Sequence, residues 1–359
     1  MATLIEGTRI YVPVFKVKLN KNFLPRESIT GIEIEEDLEK PTLFRISLNE
    51  EINMDTQQFN WLDNDLIKPG TEAIISFGYA MSEKQGLIRG RIKALSPGFL
   101  SSGIPTLSIE GYDLSHDLQN SYKGFEGEDL TYSMVAQKIA DNNKLKPDGV
   151  ESADLTHPKV ERRTNENDYA TLRRLSSEIG FEFFVRDDIL YFRQPRDNTS
   201  EEFTFEFRKN FISFNPRMTT ASLANEVSVS SWYGKDKEDI LETASISDIK
   251  NSMKIQDFDS IIEQSQGKKI SVKMEGRVVR SKKEAKDLAI TELKKRNKRF
   301  IEGSLECIGD PKLRPGITVK IEKVGKKFSG IYYVTRAKHS IGDGGYKTTL
   351  DVSIRRRIP

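Results

Sequence analysis

The stretch Phe44-Arg45-Ile46-Ser47-Leu48-Asn49 alternates apolar and polar side chains residue by residue. Because successive side chains of a strand point to opposite faces of its sheet, this period of two predicts a strand with one buried and one wet face. The alternation recurs over 107–110, and turn residues at Lys68-Pro69-Gly70 and Ser96-Pro97-Gly98 separate such runs. Residues 1–120 are therefore predicted to form an antiparallel barrel or sandwich.

Between residues 121 and 200 the period changes to that of a helix. Apolar positions recur at three- and four-residue steps in two predicted helices, Met134, Val135, Ile139 and Ala140 in the first and Tyr169, Leu172, Leu175 and Ile179 in the second. Asn165 or Asn167 can cap the second helix, and Gly180 can end it. Strands over 181–185 and 189–192 are then predicted to form a hairpin. Together these elements predict a compact α+β insert.

Alternating patterns return after residue 200 and predict a second β region over 201–359. One helix is expected inside it, because Ser281 and Glu284 form a capping-box pattern that satisfies backbone N–H groups of a first turn. Glu292 and Arg296 can pair at i,i+4 on its wet face. The stretch around 235–268 has few large apolar residues, so it is expected to be an extended loop or a mobile arm.

The two β regions repeat an ordered set of features. In the first, Lys68-Pro69-Gly70 precedes an apolar strand, and a glycine-led strand follows at 90–95. In the second, Arg314-Pro315-Gly316 precedes a strand, and a glycine-led strand begins at Gly330. A duplicated β unit would explain this echo. A Pro-Gly turn before a strand is also common in unrelated β proteins, so the echo alone leaves the duplication open.

Charge and length exclude several classes of protein. The 359 residues carry 56 basic and 54 acidic side chains, a formal net charge of +2, whereas a dedicated nucleic-acid binder carries a concentrated basic excess. Nucleic acid is therefore not expected as the main partner. No run approaches the ~18 apolar residues that span a membrane, and the N-terminus lacks the pattern of a secretory signal. We expect a chain of two or three domains that is made in the cytoplasm.

Residue types that carry catalysis are few and scattered. His116, His157 and His339 are the only histidines; none belongs to a ligand-spaced cluster, and His116 and His339 are expected at the surface or in turns. There is no Walker-type loop, no Cys-x-x-Cys pair and no Gly-x-Ser-x-Gly elbow. Carboxylates such as Glu35-Glu36-Asp37 are interpreted as turn and strand-end charges rather than as the acid pair of a glycosidase. No catalytic residue, metal ligand or cofactor is expected.

Six segments carry a resemblance to a known family: 34–38, 61–70, 109–116, 181–192, 309–316 and 328–348. In this order they resemble the phage late control protein D family, which includes the hub portion of type VI secretion spikes and the hubs of contractile injection systems. In that family each protomer holds two barrels similar to tail-tube subunits. Three protomers form a ring between a six-fold tube and a three-fold spike.

The resemblance implies a mainly β fold with a small α+β domain. Residues 1–120 would be the first tube-like β-barrel, 121–200 the α+β insert, and 201–359 the second tube-like β-barrel with its helix and polar arm. It also implies a structural, non-enzymatic baseplate hub that forms a homotrimer and binds the spike, the inner tube and other baseplate components. Such a hub would belong to a virion-like or extracellular injection particle.

The C-terminal arginines Arg355, Arg356 and Arg357 are the one candidate binding site. They are predicted to follow the final strand, and the resemblance places the chain end near the spike. Because a guanidinium can hold a carboxylate through two parallel hydrogen bonds, they are expected to dock on an acidic surface of the spike. A solvated, charged tail is the alternative.

Two other functions stay open on the sequence. A β-rich cell-surface or carbohydrate-binding module would use exposed aromatic residues, and the only tryptophans, Trp61 and Trp232, each lie inside a structural run. A cell-wall hydrolase is less favoured, because no carboxylic acid has a reason to be perturbed. Whether the parent particle is a phage, a pyocin-like tail or an extracellular injection system also stays open.

Overall fold

The computed structural model describes residues 12–80, 86–125, 130–153, 165–196, 203–233, 238–250, 255, 258–275, 279 and 281–357. Three parts of the chain are named here: the N-terminal region (12–120), the insert (121–196) and the C-terminal region (203–357). The N-terminal region contains the strands β1 (Pro13–Leu19), β2 (Asn22–Phe23), β3 (Ile29–Asp37), β4 (Leu43–Asn49), β5 (Ile52–Asn53), β6 (Gln58–Phe59), β7 (Glu72–Tyr79), β8 (Gly86–Gly98) and β9 (Thr106–Asp113).

The other two parts mix helices and strands. The insert contains α1 (Tyr132–Asn142), β10 (Lys146–Val150), α2 (Asp168–Ile179), β11 (Glu182–Arg186) and β12 (Ile189–Arg193). The C-terminal region contains β13 (Phe203–Glu206), β14 (Ser213–Met218), β15 (Glu226–Tyr233), β16 (Glu238–Ser245), α3 (Ile246–Ile249), α4 (Phe258–Gln266), β17 (Ser271–Met274), α5 (Lys282–Asn297), β18 (Ile301–Ile308), β19 (Thr318–Glu322), β20 (Gly330–Gly342) and β21 (Gly345–Arg357).

A 13-stranded sheet runs through both β regions in the order β14-β18-β21-β20-β3-β4-β9-β8-β7-β1-β2, with β19 beside β20 and β13 beside β19. The alternation that predicted β4 is confirmed, since Phe44, Ile46 and Leu48 are all fully buried. The mainly β fold class with an α+β insert is therefore confirmed. The prediction of a turn at Ser96-Pro97-Gly98 is wrong, because these residues form the last part of β8.

The expectation of two separate barrels is wrong in one respect, because the pairing of β20 with β3 joins the two regions into one sheet. The cause is the length of β20. Its first part, up to Tyr333, pairs with β19, and its second part, from Arg336, extends past β19 and offers a free edge to β3. Among the described strands, no pairing links the two ends of the sheet, β14 and β2.

The strand order and register of the two β regions agree with the duplication that the sequence echo left open. In the N-terminal region one row of directly opposite residues runs through Ile32, Ile46, Ile109 and Leu95. In the C-terminal region the matching row runs through Phe214, Leu305, Leu350 and Ala337. The strands β3, β4, β9 and β8 thus correspond to β14, β18, β21 and β20.

The Pro-Gly turns repeat the same backbone geometry. Gly70 and Gly316 have φ of 93° and 87°, values that glycine adopts without steric cost. The Gly70 N–H donates to the Ile92 carbonyl at 2.8 Å, and the Gly316 N–H donates to the Val334 carbonyl at 2.9 Å. One residue after each acceptor the strand register shifts, which marks a β-bulge in both regions.

The insert forms as predicted. Its helices α1 and α2 share an apolar core with the sheet β10-β12-β11. The Asn167 side chain accepts a hydrogen bond from the Ala170 N–H at the start of α2, and Gly180 ends that helix with φ 71°. The choice between Asn165 and Asn167 as the cap is thereby decided for Asn167.

The predicted loop or arm around 235–268 is instead folded in its described residues. They form β16, α3 and α4, and Ile240, Ile249 and Ile262 lie in the core of the C-terminal region. Few apolar residues suffice, because most of them are buried: Ile240, Ala244, Ile246, Ile249, Phe258 and Ile262. The single helix expected in this region is α5, capped by Ser281 as predicted, and α3 and α4 accompany it.

Candidate functional site

The contact between β3 and β20, named here the seam, is where the two repeated regions meet. Ala337, His339 and Ile341 of β20 lie opposite Glu36, Ile34 and Ile32 of β3. These six residues are all at most 5 % exposed. On the outer face of the same strands, Arg336 pairs with Glu35 at 2.7 Å and Lys338 with Glu33 at 2.9 Å.

Glu36 is the centre of a buried ionic group that joins all three parts of the chain, named here the junction cluster: Glu36, Arg186, Arg314 and His339. The Arg314 guanidinium, which follows β18, holds the Glu36 carboxylate from two nitrogens, each within 2.9 Å of an oxygen. Arg186, at the end of β11 in the insert, lies 4.0 Å from the same carboxylate, and His339 Nε2 lies 3.9 Å away. One carboxylate of the N-terminal region thus faces three cationic or basic groups.

The charges of the junction cluster are set by burial and by each other. Burial acts to raise the pKa of the Glu36 carboxyl, but the charges of Arg314 and Arg186 outweigh it and hold that pKa below 4.5. Burial, together with the nearby Arg314 charge, lowers the pKa of Arg186 to about 10. Burial also lowers the pKa of His339 to about 4. At neutral pH the group therefore holds a carboxylate, two guanidinium ions and a neutral imidazole.

The insert is held against the seam by a second set of contacts. Arg186 and Arg193 donate to the carbonyls of Pro315 and Gly316, in the turn before β19. The Tyr333 hydroxyl of β20 donates to the Glu182 carboxylate of β11 at 2.5 Å. These bonds join the insert to the C-terminal region, and the pairs of Glu36 with Arg314 and Arg186 add the N-terminal region to the same junction.

The neutral state of His339 predicts a loss of stability in mild acid. The pKa of His339 is about 4 in the folded protein and 6.5 without burial, so the unfolded chain takes up the proton first. The contribution of neutral His339 to the free energy of unfolding is complete above pH 6.5 and is lost as the pH falls toward 4. Between pH 7 and pH 5 we expect this group to lower the free energy of unfolding by about 2 kcal/mol.

Urea unfolding at pH 7, 6 and 5 measures this effect, with His339→Gln as the control that removes the titrating group. The pKa of Glu36 is held below 4.5, so that carboxylate contributes little to the slope in this window. The same pH slope in the variant and in the unaltered protein would show that His339 is not the source.

The structure places the predicted arginines differently from the expectation. The strand β21 continues through Arg357, so these residues extend the final strand rather than follow it. Arg355 is 4 % exposed; its guanidinium lies 4.9 Å from the centre of the Tyr333 ring and donates to the Ser353 hydroxyl. The side chains of Arg356 and Arg357 lie outside the described residues.

Other residues singled out in the sequence have structural surroundings. His339 is wrongly predicted to lie at the surface or in a turn: it is buried in β20, where its Nδ1 is within hydrogen-bond distance of the Thr348 and Tyr346 hydroxyls. His116 stacks on Tyr112 with ring centres 4.6 Å apart, and His157 lies outside the described residues. Within the described part of the chain, no group of three or more His, Cys, Asp and Glu could hold a metal ion.

Glu36 is the functional residue that the sequence interpretation missed. It was assigned to a turn or strand end, but it lies inside β3 and is 5 % exposed. The signal was present, since Ile32, Ile34 and Glu36 share one face of an alternating strand. Trp61 is also buried, at 8 % exposed, so it offers no aromatic platform to a carbohydrate.

A family described as the Alg8 N-terminal domain matches residues 11–343. The chain belongs to this family. No curated protein matches the chain in sequence. None of the described helices is both long and apolar enough to cross a membrane.

Solved structures extend the comparison at the level of the fold. The 43 kDa tail protein of prophage MuSo2 from Shewanella oneidensis is similar with a TM-score of 0.73 and 13% identity, over 96% of this chain and 99% of that one. A tail protein from Neisseria meningitidis MC58 has a TM-score of 0.69 and 12% identity, over 96% and 97%. The c3393 protein of E. coli, a component of the type VI secretion system, has a TM-score of 0.56 and 12% identity, over 96% and 78%. The chain thus shares its fold with these phage-tail and type VI secretion proteins.

Proposed function

We propose that this chain is a structural, non-enzymatic hub of a phage-tail-like contractile machine. Three copies form a ring that joins the six-fold inner tube to the three-fold spike and contacts other baseplate components. The proposal takes its support from the shared fold of the tail proteins and from the duplication within the chain. A hub needs rigid geometry and no reaction, so a chain of this kind can work without a catalytic centre.

The observation that carries the proposal is that two strands pair within the chain, whereas their counterparts in the other repeat each have an outer edge with no neighbouring strand among those that the structure describes. Within the chain, the second part of β20 pairs with β3. The counterparts of these two strands are β8 and β14. Among the strands that the structure describes, none lies beside the second part of β8 on its outer side, and none lies beyond β14.

A second copy supplies what each edge lacks. If β14 of one copy lies beside β8 of the next, the contact between copies repeats the geometry of the seam. Such head-to-tail contacts close into a ring when the rotation per copy divides a full turn. Three copies with two repeats each give six similar units, which suits a six-fold tube on one face and a three-fold spike on the other.

The stoichiometry is the direct test. Purified together with the spike protein of its own particle, the chain should elute with three copies per complex by size-exclusion chromatography with multi-angle light scattering. Negative-stain images should show a ring with a central hole. A monomer that stays monomeric when bound to the spike would contradict the proposal, because one copy cannot match a three-fold partner.

A contact between the spike and Arg355, Arg356 and Arg357 stays a prediction. Since Arg355 contacts Tyr333 and Ser353 inside its own chain, we assign the contact with an acidic spike surface to Arg356 and Arg357.

A further inference from the structure

We propose that Pro97 of one copy meets Pro216 of the next, and that this pair weakens the contact between copies. The ring then closes on its tube or spike partner rather than in the free protein. This inference rests on the proposed function, since it requires that copies pair through β8 and β14. It adds a physical reason why the ring of copies forms only when the tube or the spike is bound.

The first step is the direction of the backbone at Pro97. The Asp113 N–H donates to the Thr42 carbonyl ahead of β4, so the odd-numbered residues of β9 turn their backbone groups toward β4. Leu107 is one of them, and it lies directly opposite Pro97. Directly opposite residues of an antiparallel pair either both face each other or both face away. The backbone of Pro97 therefore faces away from β9, toward the outer edge of the sheet.

The same argument applies to Pro216. The Thr219 N–H donates to the Phe300 carbonyl just before β18, so alternate residues of β14, counted back from Thr219, face β18. Pro216 falls between them and faces the outer edge. Proline is found on edge strands in this orientation, because it has no N–H to donate.

The register follows from the seam within the chain. There His339 lies opposite Ile34. Leu95 is the counterpart of Ala337. Pro97 lies two residues after Leu95, as His339 lies two residues after Ala337. Phe214 is the counterpart of Ile32. Pro216 lies two residues after Phe214, as Ile34 lies two residues after Ile32. Pro97 and Pro216 therefore hold the positions of His339 and Ile34.

At this position a regular antiparallel ladder exchanges two N–H to carbonyl hydrogen bonds. Neither proline has an N–H, so the contact between copies lacks both bonds at its centre. It also lacks the ion pairs of the seam. The counterparts of Arg336 and Lys338 are Ala94 and Ser96, and those of Glu33 and Glu35 are Asn215 and Arg217.

Apolar residues remain to hold the copies together. Phe99, the residue directly after β8, is 61% exposed. By the same register it meets Phe214 of the next copy, since Ile341 meets Ile32 within the chain. Leu100 beside it is 66% exposed. The contact between copies thus keeps apolar contacts, but it lacks the central backbone hydrogen bonds and the ion pairs that stabilise the seam.

The test replaces the prolines by residues that can donate. In the absence of any partner, Pro97→Val with Pro216→Ile should self-associate into closed trimers at a concentration at least tenfold lower than the unaltered protein, by sedimentation velocity. Pro25→Val, at an exposed proline away from both edges, is the control and should not change association. Unchanged association of the double variant, or growth into open aggregates instead of trimers, would overturn the role of the prolines.

A cysteine pair tests the register independently. Ser96 and Arg217 are the counterparts of Lys338 and Glu35, which lie opposite each other in the seam. In the spike complex, Ser96→Cys with Arg217→Cys should form a disulfide between copies, and Ser96→Cys with Asn215→Cys, two residues out of register, should not. The one native cysteine, Cys307, is buried.

The outcomes separate this inference from the proposed function. Trimers in the spike complex without the Ser96–Arg217 disulfide would overturn the β8 to β14 contact, and the prolines with it, while the hub function would stand. The disulfide together with tighter association of the proline variant supports the inference.

Discussion

Replacing Glu36 by alanine is expected to lower the free energy of unfolding by about 3–5 kcal/mol, because removal of one partner leaves buried charges without compensation. Glu36 is 5 % exposed, and the guanidinium groups of Arg314 and Arg186 both lie within 4.0 Å of its carboxylate. Without the carboxylate these two like charges, whose side chains are only 15% and 23% exposed, lose the anion that lies between them. Urea unfolding monitored by circular dichroism measures the loss.

Glu33→Ala is the matched control. Glu33 lies on the same strand and also binds a cation across the seam, Lys338, but its side chain is 40% exposed. Exposed pairs contribute only about 0–1 kcal/mol. Similar losses for the two variants would show that burial of the pair is not what matters. Adding Arg314→Met to a Glu36→Leu variant should recover part of the loss, since apolar groups then fill the space of the ion pair.

Local patterns account for the parts of the fold that the sequence predicted. The period of two at Phe44 to Asn49, the helix caps at Asn167 and Ser281, and the Pro-Gly turns at Gly70 and Gly316 all act within a few residues, and each has the predicted structure. The echo between the two β regions was also visible in the sequence, because both copies of the turn keep a Pro-Gly pair, and both glycines have positive φ.

The junction could not be predicted in this way, because its partners are distant in sequence. Glu36 and Arg314 are 278 positions apart, and nothing near either residue shows that β20 extends past β19 to reach β3. The charge of Glu36 also hid its burial, since a run of three acids is typical of a wet turn. Ser96-Pro97-Gly98 was misassigned for a related reason: a proline suits a turn and an edge strand equally well, and only the sheet order decides between them.

The arginines illustrate how the end of a strand depends on its neighbour. Three consecutive charges with a proline two residues further on favour a tail, yet Ile331 and Gly330 of β20 pair with Arg356 and Arg357 and keep them in the sheet. The ring of Tyr333 then offers Arg355 a contact that no local pattern encodes.

Replacing Asp168 by alanine is expected to open the insert while the large sheet stays folded. Asp168 begins α2 and is 1 % exposed. Its carboxylate accepts hydrogen bonds from the Ser121 hydroxyl at 2.6 Å, the Asn143 amide at 2.8 Å and the Gly124 N–H at 2.8 Å. These three donors come from the entry to the insert and from the end of α1, so one side chain ties its parts together.

Alanine leaves the Gly124 N–H and one hydrogen of the Asn143 amide without their acceptor, whereas the Ser121 hydroxyl can donate to Asn143 Oδ1 at 2.8 Å. Each unsatisfied buried donor costs about 1–3 kcal/mol, so the insert should lose about 4 kcal/mol of stability. Asp168→Asn keeps one acceptor oxygen and the shape of the side chain, and it should cost less than half as much. Hydrogen exchange should accelerate in α1 and α2 and stay slow in β3 and β4, because the sheet has its own core. Uniform acceleration of exchange across the chain would contradict this prediction. It would mean that the insert and the sheet unfold as one unit, coupled through the junction cluster.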